Sequence, residues 1–324
     1  MLGSTHAHHS KKILMPAGAI VRLLWPWLLA VAAWPVLARP LPVTEIAPGV
    51  FFHEGIHEEF GEGYRGDIAN IGFVIGEQAI AVIDTGGSFR VGQALREAIR
   101  ARSALPIRYV INTHVHSDHV FGNAAFEQDR PQFIGHERLA GAMRARAEVY
   151  ESNLAKMLGE QAAGSRIVLP TQTVTAGHTL VLDLGRRTLQ LRAWAPAHTD
   201  HDLTVLDQTT GTLWMGDLLF VERTPSIEGD AQGWLAIMTE LAAMPARRSI
   251  PGHGPLVTDK AAALERQRRY LQTLIDDLKQ GIAAGRPMAE VIGTAARSER
   301  GRWQLFDSVN LRNAERLYPL LEWE

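Results

Sequence analysis

Thr113-His114-Val115-His116-Ser117-Asp118-His119 sets three imidazoles and a carboxylate within six consecutive residues. It follows directly on Ile107–Asn112, whose β-branched and aromatic residues predict a strand. A chain leaving a strand points alternate side chains the same way. His114 and His116 can therefore share one metal ion while Asp118 and His119 turn towards a second. Imidazole and carboxylate without sulfur suit zinc, and also iron or manganese. The bland alternative is a polar surface loop. Of the 13 histidines, His6, His8 and His9 lie at the far N-terminus, and three of the other ten fall in this one loop. Chance does not produce that.

Outward from the loop, the pattern predicts strands, a helix, strands and a helix again. Val50–His53 opens, and Ile68–Ile75 with Ala79–Ile83 forms a hairpin around Gly76-Glu77-Gln78. Ser88 caps a helix running to about Arg102, with Val91, Leu95 and Ile99 four residues apart. Residues 136–160 read as helical. Thr179–Asp183, Thr188–Ala193, Leu203–Asp207 and Thr212–Met215 read as short strands. A helix near Gln232–Ala243 and a short strand lead into Pro251-Gly252-His253-Gly254, and the chain from Asp259 reads as helical. Two sheets between helical layers satisfy this order.

The loop also carries a resemblance. His114-x-His116-x-Asp118-His119 resembles the signature of the metallo-β-lactamase superfamily, and four further motifs follow the superfamily's pattern in order. They are Val82-Ile83-Asp84-Thr85-Gly86, Ala197-His198-Thr199, Gly216-Asp217-Leu218-Leu219-Phe220 and Pro251-Gly252-His253-Gly254. The resemblance spans roughly residues 45–258. It implies an αββα sandwich, here with a helical C-terminal extension over residues 259–324. It also implies a first zinc on His114, His116 and His198, and a second on Asp118, His119 and His253. Asp217 would be shared, and Asp84 would orient a ligand from behind. A hydroxide held between the metals would attack an ester, thioester, lactone or amide-like bond, with Asp118 orienting it.

Departures narrow the kind of relative. With no cysteine in the chain, the lactamase class that uses a thiolate ligand is excluded. Retention of Asp217 looks more like glyoxalase II and other ester or thioester hydrolases than dedicated lactamases. His116 stands where flavodiiron-type relatives carry Glu. The stretches His57-Glu58-Glu59, Arg65–Phe73, Val221-Glu222-Arg223 and Ser298–Trp303 are similar to those of the quinoprotein relay system zinc metallohydrolases. That likeness implies a periplasmic setting and a quinoprotein or cytochrome as candidate partner. Two rival readings stand beside the hydrolase: a histidine-ligand β-lactamase, and a non-catalytic accessory module of a quinoprotein electron-transfer system.

Composition agrees with a small-molecule enzyme. Hydrophobic residues are 46% of 324, enough for a sizeable core, and the formal net charge is −2 with no basic run. Nucleic-acid binding needs clustered Lys and Arg, so it is not expected. Residues 1–38 hold Lys11, Lys12 and Arg22 but no acid, and Leu23–Ala38 is apolar, Pro-interrupted and ends in small residues. This reads as a removable signal peptide preceding one domain, 39–324, with no stable membrane association afterwards. Met15 opens a more ordinary signal than Met1. Without that stretch 30 basic residues face 35 acidic ones, a net charge of −5.

Weaker signals lie elsewhere. His53, Glu54, His57, Glu58 and Glu59 precede the Gly-rich segment 61–65, which reads equally as a flap over the site or as a solvated loop. His201, Glu222 and Arg223 are candidate substrate contacts. For His201 a surface position is the expectation, and for Glu222 and Arg223 a mutual ion pair is the plain alternative. His136 and His178 read as structural.

Overall fold

The computed structural model describes residues 1–5, 7, 40–61 and 63–323. The chain divides into two units, Met1–Leu37 and Ala38–Glu324. From residue 8 onwards the expected signal peptide lies outside the described residues. The second unit holds all the secondary structure described below, and no described helix is long and apolar enough to cross a membrane.

Two sheets face each other. The first has seven strands in sequence order: β1 (Thr44–Ala47), β2 (Val50–His53), β3 (Ile71–Ile75), β4 (Ile80–Ile83), β5 (Ile107–Ile111), β6 (Gln132–His136) and β7 (Gln172–Val174). Strands β1 to β4 run antiparallel and β4 to β7 parallel. The second sheet comprises β8 (Thr179–Asp183), β9 (Thr188–Ala193), β10 (Leu203–Asp207), β11 (Thr212–Phe220) and β12 (Arg248–His253), in the order β12-β11-β10-β9-β8. Only its β11–β12 pair is parallel.

Strand alternation assigns each side chain to a layer. Phe52, Val74 and Ile83 point inward against Leu189, Leu191, Val205 and Trp214 of the opposing sheet. Their neighbours Phe51, Phe73 and Val82 point outward, onto Val91, Leu95 and Ile99 of helix α1 (Phe89–Arg100). On the other side Leu213 and Met215 pack against α4 (Ala231–Ala243), α5 (Lys260–Ala283) and α7 (Phe306–Glu322). The result is an αββα sandwich with a helical C-terminal extension, which also includes α6 (Met288–Thr294). The short α2 (Ser117–Val120) and the long α3 (Leu139–Leu158) complete the helices.

Most predicted elements form with their ends moved by a few residues. Ser88 caps α1, its Oγ accepting from Val91 N at 3.2 Å. Two strands in the middle were not expected. Gln132–His136 was read partly into the helix of residues 136–160, but it is β6, and α3 begins only at Leu139. Gly135 makes this tight join, because a Cβ there would meet Leu139 Cδ2 at 2.2 Å.

Candidate metal centre

The histidine and aspartate motifs arrive at one place because each lies on a strand or directly follows one. His114 and His116 leave β5 in a loop, while Asp118 and His119 lie on α2. His198 sits between β9 and β10, Asp217 within β11, and His253 at the end of β12. Two glycines make the approach. Gly216 has φ +51°, and a Cβ on it would stand 2.7 Å from Thr113 Cβ. A Cβ on Gly252 would come within 1.8 Å of Asp217 Oδ1, so only glycine fits beside that carboxylate.

The ligand-type atoms fall into two groups, one of His114, His116, His198 and Asp217 and one of Asp118, His119 and His253, each within 4.8 Å. Asp217 lies between them. Its Oδ2 is 3.6 Å from His114 Nε2, 3.3 Å from His198 Nε2 and 3.4 Å from His253 Nε2. Its Oδ1 is 3.2 Å from His119 Nε2. Asp118 Oδ2 stands 3.4 Å from His253 Nε2. His116 alone turns Nδ1 inward, 3.1 Å from His198 Nε2.

The outward nitrogen of four of these five histidines is hydrogen-bonded, and that of His116 lies beside a carboxylate. His198 Nδ1–H donates to Ser226 O and His253 Nδ1–H to Ile68 O, both at 2.8 Å. His119 Nδ1–H donates to Asp84 Oδ2 at 2.8 Å. His114 Nδ1 meets Thr113 Oγ1 at 3.0 Å, and that hydroxyl donates to Asp84 Oδ2 at 2.7 Å. His116 Nε2 faces Glu228 Oε2 at 3.0 Å. Such anchors fix each tautomer so that a lone pair points into the cluster. Inside it, His114 Nε2, His119 Nε2 and Asp217 Oδ1 are buried with no hydrogen-bond partner. Buried polar atoms are rarely left so. A cation with nitrogen and oxygen ligands answers them, so these residues fit the expected metals.

Charges packed inside the cluster shift its groups in both directions. Burial alone would raise the Asp217 carboxyl, but the imidazoles of His253, His119, His114 and His198 hold it well below the usual carboxylate range. Burial pushes His114 well below the ordinary imidazole value and also lowers His253. For His116 burial is outweighed by Glu228 and Asp217, which lift it to about 10.

A cavity of about 570 Å³ opens onto the cluster and is bordered by His116, Asp118, Asp217 and His253. Phe60, Tyr150, Leu154, Met157, Phe220 and Val309 form its apolar wall. Of the three candidate substrate contacts, Arg223 reaches this cavity. Glu222 does not: it takes φ +64°, is exposed, and accepts from Gln304 Nε2 at 3.2 Å. No Glu222–Arg223 ion pair forms among the described residues. His201, in the connection between β9 and β10, is fully buried rather than at the surface, with its Nδ1 2.9 Å from Thr199 Oγ1. His136 is buried against Trp194 O, and His178 is exposed. Sequence reasoning missed Glu228, Tyr150 and Val309, which arrive from separate elements and belong to no motif.

The sequence profile described as "Metallo-beta-lactamase superfamily" matches residues 64–253, more than half of the chain. No curated protein matches the sequence. Among solved structures, a metallo-beta-lactamase from Pontibacter korlensis aligns with a TM-score of 0.57 at 19% identity, covering 72% of this chain and 99% of that one. TMB-1 aligns with the same score and identity over 72% and 97%. The DIM-1 metallo-beta-lactamase exposed to ceftazidime aligns at 0.57 and 17% identity, over 73% and 98%. These likenesses establish a shared fold, and the profile match with the ordered ligand groups establishes more: the chain belongs to the metallo-beta-lactamase superfamily.

Proposed function

We propose that this chain is a dinuclear zinc hydrolase acting on an ester, thioester, lactone or amide-like bond of a small molecule. The observation that carries the reading is Asp217, whose carboxylate lies within 3.6 Å of histidines of both ligand groups beside an open cavity. His114, His116 and His198 would hold one zinc, Asp118, His119 and His253 the other, with Asp217 common to both. When bound, such a pair acidifies water towards neutral pH and polarises the scissile carbonyl. The chain's own residues do the rest. Asp118 borders the cavity, where its carboxylate can accept a proton from the attacking water and orient it. Phe60, Tyr150 and Phe220 give the cavity an apolar surface against which the substrate's body would pack.

The setting we infer is periplasmic, from the apolar stretch Leu23–Ala38, with a link to quinoprotein dehydrogenase systems. Two of the four stretches that carry this likeness meet at one side of the cavity, and a third ends next to a residue that pairs with them. Arg223 donates to Glu58 O at 3.0 Å and bridges Gln304, next to Trp303, while Glu59 borders the cavity itself. These stretches would then set substrate choice.

The test is zinc-loaded protein assayed on ester, thioester, lactone and cephalosporin panels, with metal content measured. About two zinc per chain and turnover of one panel are expected, with Asp118→Ala slower by on the order of a hundredfold or more. Inactivity across all panels would favour the accessory-module reading. Lactam turnover alone would favour the lactamase.

A further inference from the structure

The anchor behind His198 stands on irregular chain. Ser226 O accepts from His198 Nδ1–H at 2.8 Å, and Ser226 lies between Phe220 and Ala231, in a stretch that forms neither helix nor strand. A carbonyl on such a stretch turns unless something fixes its peptide plane. Asn313 of α7 does so. Its Oδ1 accepts from Ile227 N–H at 2.9 Å, and its Nδ2 donates to Pro225 O at 2.7 Å. One carboxamide therefore grips the two peptide units on either side of Ser226.

A single rigid peptide carries the effect across. Ser226 C=O and Ile227 N–H belong to the same planar unit and point in opposite directions. Drawing the N–H towards α7 turns the C=O away from it, onto His198 Nδ1. That bond sets the His198 tautomer and leaves its Nε2 lone pair facing Asp217 Oδ2 at 3.3 Å. Asn313 is itself held. It is 2% exposed, and its Nδ2 also donates to Tyr270 Oη at 2.8 Å. Tyr270 donates in turn to Asn310 Oδ1 at 3.1 Å, and Asn310 Nδ2 to Ala295 O at 3.0 Å. A reversed Asn313 amide would set Nδ2 against the Ile227 N–H and Oδ1 against the Pro225 carbonyl.

The same stretch carries Glu228, which faces His116 Nε2 at 3.0 Å and whose backbone N–H donates to His198 O at 3.1 Å. The second ligand group has its anchors elsewhere, Asp84 behind His119 and Ile68 O behind His253. An influence from α7 thus reaches two histidines of the first group and neither histidine of the second. Asn313 lies beyond residues 45–258, which carry the ligand motifs, so this influence belongs to the helical extension.

We propose that Asn313 is a positioning residue for the first metal, acting through the Ser226–Ile227 peptide, and that the C-terminal extension thereby sets the affinity of that site alone. This assignment rests on the dinuclear reading above, and the bond cleaved does not enter it.

Asn313→Leu and Asn310→Leu are compared by chelator competition for zinc and by NMR of the imidazoles. Both remove a buried carboxamide from one network, but only the first touches the Ser226 peptide. Asn313→Leu should weaken one of the two stepwise zinc affinities by about tenfold and leave the other unchanged. In metal-free protein it should shift the resonances of His198 and His116 and not those of His119 and His253. Asn310→Leu should lower stability to urea and leave zinc affinities and resonances in place. Wild-type affinities in Asn313→Leu overturn the proposal. So does an equal loss in Asn310→Leu, which would trace the effect to general loosening. A third measurement needs no variant to fold. By reciprocity, zinc should slow exchange of the wild-type Ile227 amide by about tenfold relative to amides of α1, and unchanged relative exchange overturns the proposal. Wild type that takes up no zinc removes the dinuclear reading and this assignment together. Wild type that holds two zinc, with Asn313→Leu unaffected, removes only the assignment.

Discussion

At the scale of single residues, Asp84 does the most with the least exposure. It sits at φ +51°, a left-handed conformation that costs a non-glycine residue on the order of 1 kcal/mol. In return its carboxylate accepts from Thr113 N at 2.8 Å, from Thr113 Oγ1 and from His119 Nδ1. Through Thr113 it also steadies His114. One carboxylate therefore sets the tautomer of a histidine in each ligand group. Asp84→Ala should lower zinc affinity by about 10- to 100-fold, read by competition with a chromophoric chelator. A wild-type affinity in that variant would show that the strained aspartate orients nothing. The sequence revealed His114, His116, Asp118 and His119 because ligands on one loop must be close along the chain, and Asp84, His198 and His253 only through the family resemblance of their motifs. It could not rank Glu222 against Arg223, since the backbone at one residue decides which of two neighbours faces the cavity.

At the scale of elements, the position of β12 depends on a residue that carries no chemistry. Asn70 precedes β3, and its Nδ2 donates to Pro251 O at 2.8 Å and to Gly254 O at 2.7 Å, while its Oδ1 accepts from Gly55 N. Its backbone N–H donates to Gly252 O at 2.8 Å. These bonds clamp the turn that delivers His253. Asn70→Ala leaves one N–H and two carbonyls unanswered in a buried place, so a loss of about 3 kcal/mol is expected in urea unfolding. A loss under about 1 kcal/mol would mean that water replaces the clamp. Asn70 was visible in sequence only as part of a likeness to relatives, because its partners lie some 180 positions away. The same distance effect hid β6 and β7. Their short segments become strands through parallel neighbours that no local pattern displays. Strands such as Val50–His53, Thr188–Ala193 and Leu203–Asp207 were legible to the residue, since alternation or β-branching within each segment suffices.

At the scale of the whole molecule, the centre ties the two sheets together. His114, His116, Asp118 and His119 follow a strand of the first sheet, and His198, Asp217 and His253 belong to the second or its loops. No disulfide shares this task, as the chain contains no cysteine. A metal held only by the folded chain stabilises it in proportion to the logarithm of its concentration over the dissociation constant, about 2.7 kcal/mol per site at a hundredfold excess. For a domain of this size each kcal/mol moves the melting temperature by roughly 2–4 °C. Zinc should therefore raise the Tm of chelator-treated protein by on the order of 5–10 °C per occupied site. The sign of the pH effect follows from the ligands. Imidazoles must be unprotonated to bind metal, so protons compete as the pH falls. The Glu228 and Asp217 charges that favour a protonated His116 sharpen that competition. The zinc-dependent rise should then be largest near pH 8 and shrink towards pH 5, as measured by differential scanning calorimetry with and without zinc. His114→Ala should remove part of the rise, and Asp217→Ala, which touches both groups, more of it. A Tm indifferent to zinc at pH 8 would mean that the convergent histidines hold no metal, and the hydrolase reading would fall with them.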